Sequence, residues 1–285
     1  MALSHRQFSQ LQRLHFVEQR LFWEGRINRG DLVDTFGIST VQASSDLNEY
    51  LREAPESMWY DKSSRVYRAA DNFEPIGYQP AAEDYLQSLL RSQRAHEPTG
   101  SLGTHGWVPD IAVCDVPVRA MPVDTLRAVL QHIRARKAMC VRYQSVSARD
   151  ARWRDIVPTA LGSDGFRWHV RALCLEDNRY KDFVVARIIA WRDVAALTET
   201  DLPVDAHWQQ WVSFHIAPHP DLSAGQRQAI ELDYAMTDGR AEVRVRRALL
   251  WYTLRHMRLE GDPVSRPASE QHIVLANPRE LAFDD

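Results

Sequence analysis

The sequence predicts a multidomain α+β protein, and three observations carry that expectation. Runs of helical period fill the first third, period-2 alternation dominates the middle, and strand-like and helix-like runs alternate towards the end. The chain has 285 residues, enough for two or three hydrophobic cores. Apolar residues make up 45% and charged residues 26%, an ordinary globular balance. Net charge is -3, so no global basic character announces a nucleic-acid partner. Charge is nevertheless segregated. Residues 133–193 hold 13 basic against 7 acidic side chains, whereas residues 201–285 hold 9 against 13.

Phe8, Leu11, Leu14, Val17, Leu21 and Phe22 recur at spacings of three and four and predict an amphipathic helix over 8–23, punctuated by Gly25 and Asn28. Leu32, Val33 and Phe36 share a face of a second helix, Arg29–Phe36, which Gly37 terminates. Ser39 or Thr40 then caps a third helix, with Val41, Leu47, Tyr50 and Leu51 expected to point inward. Two strand-like runs, Ser57–Tyr60 and Arg65–Arg68, flank the polar turn 61–64. Helix, helix, tight turn, helix and hairpin within residues 1–70 is the layout of a winged helix-turn-helix. A recognition helix works by laying its first turns in the major groove, where short polar side chains reach base edges. Ser39, Thr40, Gln42, Ser44 and Ser45 are the expected readers, with Arg29, Lys62 and Arg65 placed for phosphates.

Residues 71–120 read as a helical linker, with a helix at Ala81–Ala95 and a glycine-rich stretch, 96–108, expected to be a flexible connection. Gly100, Gly103 and Gly106 follow no strand and precede no Lys-Ser/Thr pair, so they do not form a phosphate loop. A helix at Val123–Arg136 leads into a strand, Lys137–Ser145, and several short strands follow. Between Arg152 and Arg187 the charges sit inside strand alternation. Period 2 sends Arg167, His169 and Arg171 to one side of their strand and Phe166, Trp168 and Val170 to the other. Arg152 and Arg154 also share a side, and Arg187 follows the apolar run Phe183–Ala186. Several strands thus promise a single cationic face on a small, strongly bent sheet or barrel, with Trp168 in the core. Guanidinium groups bind phosphate through planar, bidentate hydrogen bonds, and Tyr143 and Ser145 would add stacking and a hydroxyl. Tyr143, Ser145, Arg152, Arg154, His169, Arg171 and Arg187 are therefore the expected anion-binding set, although Arg152 is equally at home as an ordinary surface residue. From 201 to 285 a strand, helix, strand and helix predict a compact α+β extension.

Asp164-Gly165-Phe166-Arg167-Trp168-His169-Val170-Arg171-Ala172 resembles the signature of WYL domains, with Trp168, His169 and Val170 where that family has Trp-Tyr-Leu. Val141–Ser145, Ile156–Pro158 and Asp182–Ile188 match the flanking pieces. The resemblance spans the chain in order and is similar to the regulators that accompany bacterial anti-phage defence islands of the BREX and CBASS systems. It implies that residues 121–200 form a WYL domain, an Sm-like small β-barrel. It also implies an effector, a nucleotide or single-stranded nucleic acid, that signals to the winged helix.

No catalytic constellation accompanies these features. There is no GxSxG elbow, no HExxH and no Walker loop. Cys114, Cys140 and Cys174 have no metal-ligand spacing, and His215 and His219 read as structural or solvent-facing. No cofactor, metal or membrane span is expected, and the N-terminus lacks a signal-peptide core, which suits a cytoplasmic protein. The expected function is a ligand-responsive repressor of a defence operon. It would bind an inverted-repeat DNA operator as a homodimer, with residues 201–285 and the linker helix as the dimer surfaces. A transcriptional activator with the same parts, and less readily a phosphodiester-processing enzyme, are the alternatives.

Overall fold

The computed structural model describes residues 8–94, 105–114, 117, 119–194, 202–262 and 264–277. The chain divides into two compact units, residues 1–116 and 117–285. The first opens with α1 (Phe8–Glu24), a two-residue β1 (Arg26–Ile27), α2 (Arg29–Phe36) and α3 (Thr40–Glu53). A hairpin of β2 (Met58–Asp61) and β3 (Val66–Ala69) follows, then α4 (Ala82–Arg94). The strands form an antiparallel sheet in the order β1-β3-β2. Local chemistry explains the boundaries. Asn28 and Asp31 form a reciprocal capping box at the start of α2. Gly37 ends it in the left-handed region at φ 64°, where glycine carries no Cβ penalty. Ser39 accepts the Gln42 N–H and starts α3. The core holds Leu14, Val17, Leu21, Leu32, Leu47 and Tyr50, as the spacing predicts. Phe8 and Val41, expected inside, are 75% and 78% exposed. Val41 does not share the helical face of Ala43, Leu47 and Tyr50, so exposure follows from geometry.

Two carboxylates of α1 hold the chain that follows the hairpin. Buried Glu18 accepts the backbone N–H groups of Ile76, Gly77 and Tyr78, and the Tyr50 hydroxyl at 3.2 Å. Glu24 accepts the N–H groups of Gly106 and Trp107 at 3.0 and 3.1 Å. Burial raises its pKa, against the lowering pull of Arg20, which pairs with it at 2.9 Å. A Cβ on Gly106 would stand 1.7 Å from the Arg20 guanidinium, so any other residue here requires that side chain to move. Trp23 stacks on Tyr85 of α4 at 4.4 Å and donates to the Tyr78 hydroxyl. Residues 95–104, which include Gly100 and Gly103, lie outside the described residues.

In the second unit α5 (Val123–Ala135) packs on a five-stranded antiparallel sheet. Its strands are β4 (Met139–Tyr143), β5 (Arg152–Ser163), β6 (Trp168–Cys174), β7 (Arg179–Val184) and β8 (Ile188–Asp193). Their order is β7-β6-β5-β4-β8. The outer strands β7 and β8 do not pair with each other, so among the described residues the sheet is open and the expected closed barrel is not formed. The ladder shifts register between Pro158 and Ala160, where a proline without an N–H suits a bulge. Met139, Val141, Ile156, Val170, Ala172 and Phe183 form the core under α5. Val157 and Leu173 start a smaller one on the opposite face. The remainder comprises α6 (Ala206–Gln209), β9 (Trp211–Pro218), α7 (Ala224–Asp233), β10 (Ala241–Arg246), α8 (Leu250–His256) and β11 (Ile273–Leu275). Its sheet, in the order β10-β9-β11, encloses Phe214, Ile216, Leu250 and Leu254. The short elements β1, α6 and β11 carry too few residues to show a period in sequence.

Replacing Glu18 by alanine strands three backbone donors and a tyrosine hydroxyl. A loss of about 3 kcal/mol is expected in urea unfolding. Amide exchange should rise first at residues 76–78.

Candidate functional site

The first surface is built by α3 and the hairpin. Ala43, Asp46, Leu47 and Tyr50 are buried, so the opposite face of α3 presents Val41, Ser45, Asn48 and Arg52, with Thr40 and Gln42 on its flanks. Of the expected readers, Thr40, Gln42 and Ser45 are exposed, Ser44 is half-buried, and the Ser39 hydroxyl is occupied as the helix cap. Gln42 donates to Asp46 at 3.0 Å, and buried Arg13 pairs with the same carboxylate at 2.6 Å, which orients the amide. The Ser44 hydroxyl donates to the Thr40 carbonyl and accepts from Arg29 at 3.4 Å, tying the expected phosphate contact to α3. Asn48, exposed one turn beyond Ser44 and Ser45, was absent from the expected set although the i, i+3, i+4 spacing points to it. Lys62 and Arg65 are exposed at the hairpin tip. There Asp61 accepts from the Ser63 and Ser64 hydroxyls at 2.5 and 2.6 Å and from Arg68 at 3.0 Å. These donors hold the Asp61 carboxyl below its usual pKa.

The expected anion-binding residues fall on two faces of the five-stranded sheet. Cross-strand partners share a face. Tyr143 pairs with Arg152 and Val141 with Arg154, which puts both arginines on the side of the α5 core. Arg171 pairs with Asp182 and His169 with Val184 on the other side. Tyr143 is buried, edge-on to Phe183, and its hydroxyl accepts the Val184 N–H. Arg154 is bonded to Glu176 at 2.9 Å. Arg152 is exposed, and Ser145 lies beyond the end of β4. Arg187 is half-buried in a short 3-10 turn beside β8, and its guanidinium has no acceptor among the described residues. The end of β4 therefore gathers Ser145, Arg152 and Arg187. Trp168, expected in the core, is 51% exposed.

His169 and Arg171 instead belong to a buried network joining the sheet to the C-terminal part. Arg171 is 7% exposed and grips Asp205 through two bonds of 2.7 and 2.9 Å, with Asp182 at 3.3 Å. Burial lowers its pKa, but the two carboxylates outweigh this and raise it. Asp205 also caps α6 by accepting the Trp208 N–H. The Tyr252 hydroxyl of α8 donates to the second oxygen of Asp182 at 3.4 Å, and burial beside that charge pushes its pKa to about 12. His169 is 3% exposed, stacks obliquely on Tyr252 and contacts Asp164 at 3.2 Å. Burial raises the Asp164 pKa, but the Phe166 and Arg167 N–H groups, the Arg167 guanidinium and His169 hold it at about 2.

Comparison with known proteins matches three segments of the chain. Residues 9–91 match the BrxR transcriptional regulator winged helix-turn-helix domain. Residues 124–193 match the WYL domain, and 211–281 the BrxR C-terminal dimerization domain. The DNA-binding transcriptional repressor CapW of Stenotrophomonas maltophilia is 39% identical over 275 residues, covering 96% of this chain and 91% of its own. The CapW repressors of Escherichia coli (strain KTE188) and Pseudomonas aeruginosa are 37% and 36% identical with the same coverage. Fold and matched domains define a transcriptional regulator of the winged-helix and WYL class rather than an enzyme. The chain belongs to the family of the DNA-binding transcriptional repressor CapW. Among the described residues no helix is long and apolar enough to cross a membrane.

Arg171→Ala would leave Asp182 and Asp205 unpaired in a dry site, and about 3–5 kcal/mol of stability should disappear in denaturant unfolding. Arg187→Ala should change stability by about 0.5 kcal/mol or less. The folded pKa of Asp164 lies below its unfolded value. Its contribution, on the order of 2 kcal/mol, is present above pH ~4 and lost as pH falls through ~2. Acid titration of unfolding for Asp164→Asn should lack that dependence.

Proposed function

We propose that the chain represses transcription by binding an inverted-repeat DNA operator as a homodimer, and that an anionic effector releases it. The observation that carries this reading is the exposed face of α3, lined by Thr40, Gln42, Ser45 and Asn48 and joined by Arg29, which bonds Ser44. Short polar side chains on the first turns of a helix reach base edges in the major groove. Arg29, Lys62 and Arg65 supply phosphate contacts that fix register. Residues 1–70 serve as the reading domain, 71–120 as the linker, 121–200 as the effector domain and 201–285 as the dimer-forming extension.

Two-fold pairing would set two α3 helices roughly 34–36 Å apart, one turn of DNA. The match of residues 211–281 to a dimerization domain supports it, as do the half-exposed Trp211 and Trp251. The effector reading rests on Ser145, Arg152 and Arg187 at the end of β4, where Arg187 lacks a protein acceptor among the described residues. A phosphate of a nucleotide or oligonucleotide satisfies such a group. The regulated genes are, on this reading, an anti-phage defence operon, and the protein acts in the cytoplasm.

Gel shifts on the DNA upstream of the protein's own gene test the repressor reading, and absence of any protected inverted repeat refutes it. Gln42→Ala should weaken binding by about 1–3 kcal/mol at the base pair it reads. Arg29→Ala and Lys62→Ala should instead weaken binding to all sequences and each lower the salt slope by about one.

A further inference from the structure

A cavity of about 210 Å³ opens between the β5–β6 turn and α8, bordered by Asp164, Phe166, Arg167, Tyr252, Arg255 and His256. The turn is rigid. The Asp164 carboxylate accepts the Phe166 and Arg167 N–H groups at 2.9 and 2.6 Å, and Gly165 adopts φ 84°, which favours glycine. A Cβ on Gly165 would stand 3.3 Å from the His256 ring, so turn and helix approach closely. On α8, Tyr252, Arg255 and His256 have the spacing of one helical face.

The electrostatics of the cavity are one-sided. Among the described residues its only bordering carboxylate, Asp164, is fully engaged, one oxygen by the two backbone amides and the other by Arg167 and His169. Arg167 spends its Nε there and keeps its terminal nitrogens. Arg255 is exposed and has no carboxylate partner among the described residues. It is held 5.0 Å over the Trp251 ring, a contact that positions a guanidinium without neutralising it. Phe166 is 56% exposed, with the His256 ring 5.0 Å away. Two cations with free donors beside an exposed aromatic ring suit a phosphate joined to a flat base. Among the described residues a metal ion would find no free carboxylate at this cavity. The volume is below the roughly 300–1,000 Å³ of pockets that engulf drug-sized ligands, which fits one nucleotide unit.

We propose that this cavity is a nucleotide seat, in which Arg167 and Arg255 take the phosphate and Phe166 stacks the base. The proposal rests on the effector reading above and gives it a second location. The seat backs onto Tyr252, which bonds Asp182 and thereby touches the partner of Arg171. Its occupant contacts both the sheet and α8.

Calorimetric titration of the full-length protein at low salt tests the seat, with deoxynucleoside monophosphates, a 5′-phosphorylated single-stranded tetranucleotide and inorganic phosphate as probes. Arg255→Ala should weaken all three about tenfold, and a thermal melt confirms that this exposed substitution leaves the fold intact. Phe166→Ala should weaken the nucleotides about tenfold or more while leaving inorganic phosphate unchanged. A tetranucleotide bound much more tightly than monophosphates identifies a strand end as the source. Equal affinities identify the free nucleotide, and either result keeps the seat. No binding of any nucleotide, or binding indifferent to both variants, overturns it. Gel shifts separate the two readings. A nucleotide that fills the seat without changing operator affinity overturns the effector reading alone. Operator release that depends on Arg187 and ignores both seat variants overturns the seat alone.

Discussion

Arg171 sits in a dry site between Asp182 of its own sheet and Asp205 of the following segment, and much of the second unit is arranged around that arrangement of charge. One guanidinium facing two carboxylates cannot be rotated or shifted without stranding an ion, because each bond uses a particular nitrogen. The grip on Asp205 is bidentate, so it sets orientation as well as distance. Asp205 in turn starts α6, and Asp182 receives Tyr252 from α8. A buried ion cluster of this kind is a modest source of stability compared with apolar packing, and its value lies in specifying one arrangement. The apolar cores beneath α5 and around Phe214 supply the bulk of the burial, while the cluster fixes how their elements meet.

The N-terminal unit uses the same device with the signs exchanged. Glu18 and Glu24 are anions inside a helix–sheet packing, and most of their partners are backbone amides rather than cations. A carboxylate that collects several N–H groups turns an irregular segment into an ordered one without requiring secondary structure there. Hence residues 76–78 and 106–107 lie against α1 although neither belongs to a helix or a strand.

The helices and the hairpin of the first unit were readable because each boundary has a local chemical cause, such as the Asn28 cap, the Gly37 stop and the Ser39 hydroxyl. The alternation that placed His169 and Arg171 on one side of β6 was equally readable, since period 2 is a property of a single strand. What alternation leaves open is how the faces of different strands combine. Arg152 and Arg154 joined the opposite face through the β4–β5 register. Nor does it say whether a polar face is covered. Both sides of β6 are buried from His169 onward, and the carboxylates that receive Arg171 lie 11 and 34 residues away. The cavity under α8 is hidden for the same reason. Phe166 and Arg167 read as the start of the alternating strand, whereas β6 begins at Trp168 and both lie in the turn before it, and nothing local ties them to Arg255 and His256. Closure of the sheet into a barrel is a long-range property too, because pairing of β7 with β8, which the described residues do not make, is decided by the sheet's curvature rather than by any segment.

The hairpin tip has a kinetic meaning of its own. Asp61 closes the turn by binding the two serines and Arg68, and Arg65 already occupies the left-handed region at φ 57°. Ordering a backbone residue takes about 1–2 kcal/mol of conformational entropy. Here that ordering belongs to folding and is not deferred to the encounter with a duplex. Only the side chains of Lys62 and Arg65 still have to settle. A tip of this kind is set before any partner is met, and contacts made through its lysine and arginine alone are ion pairs that salt screens.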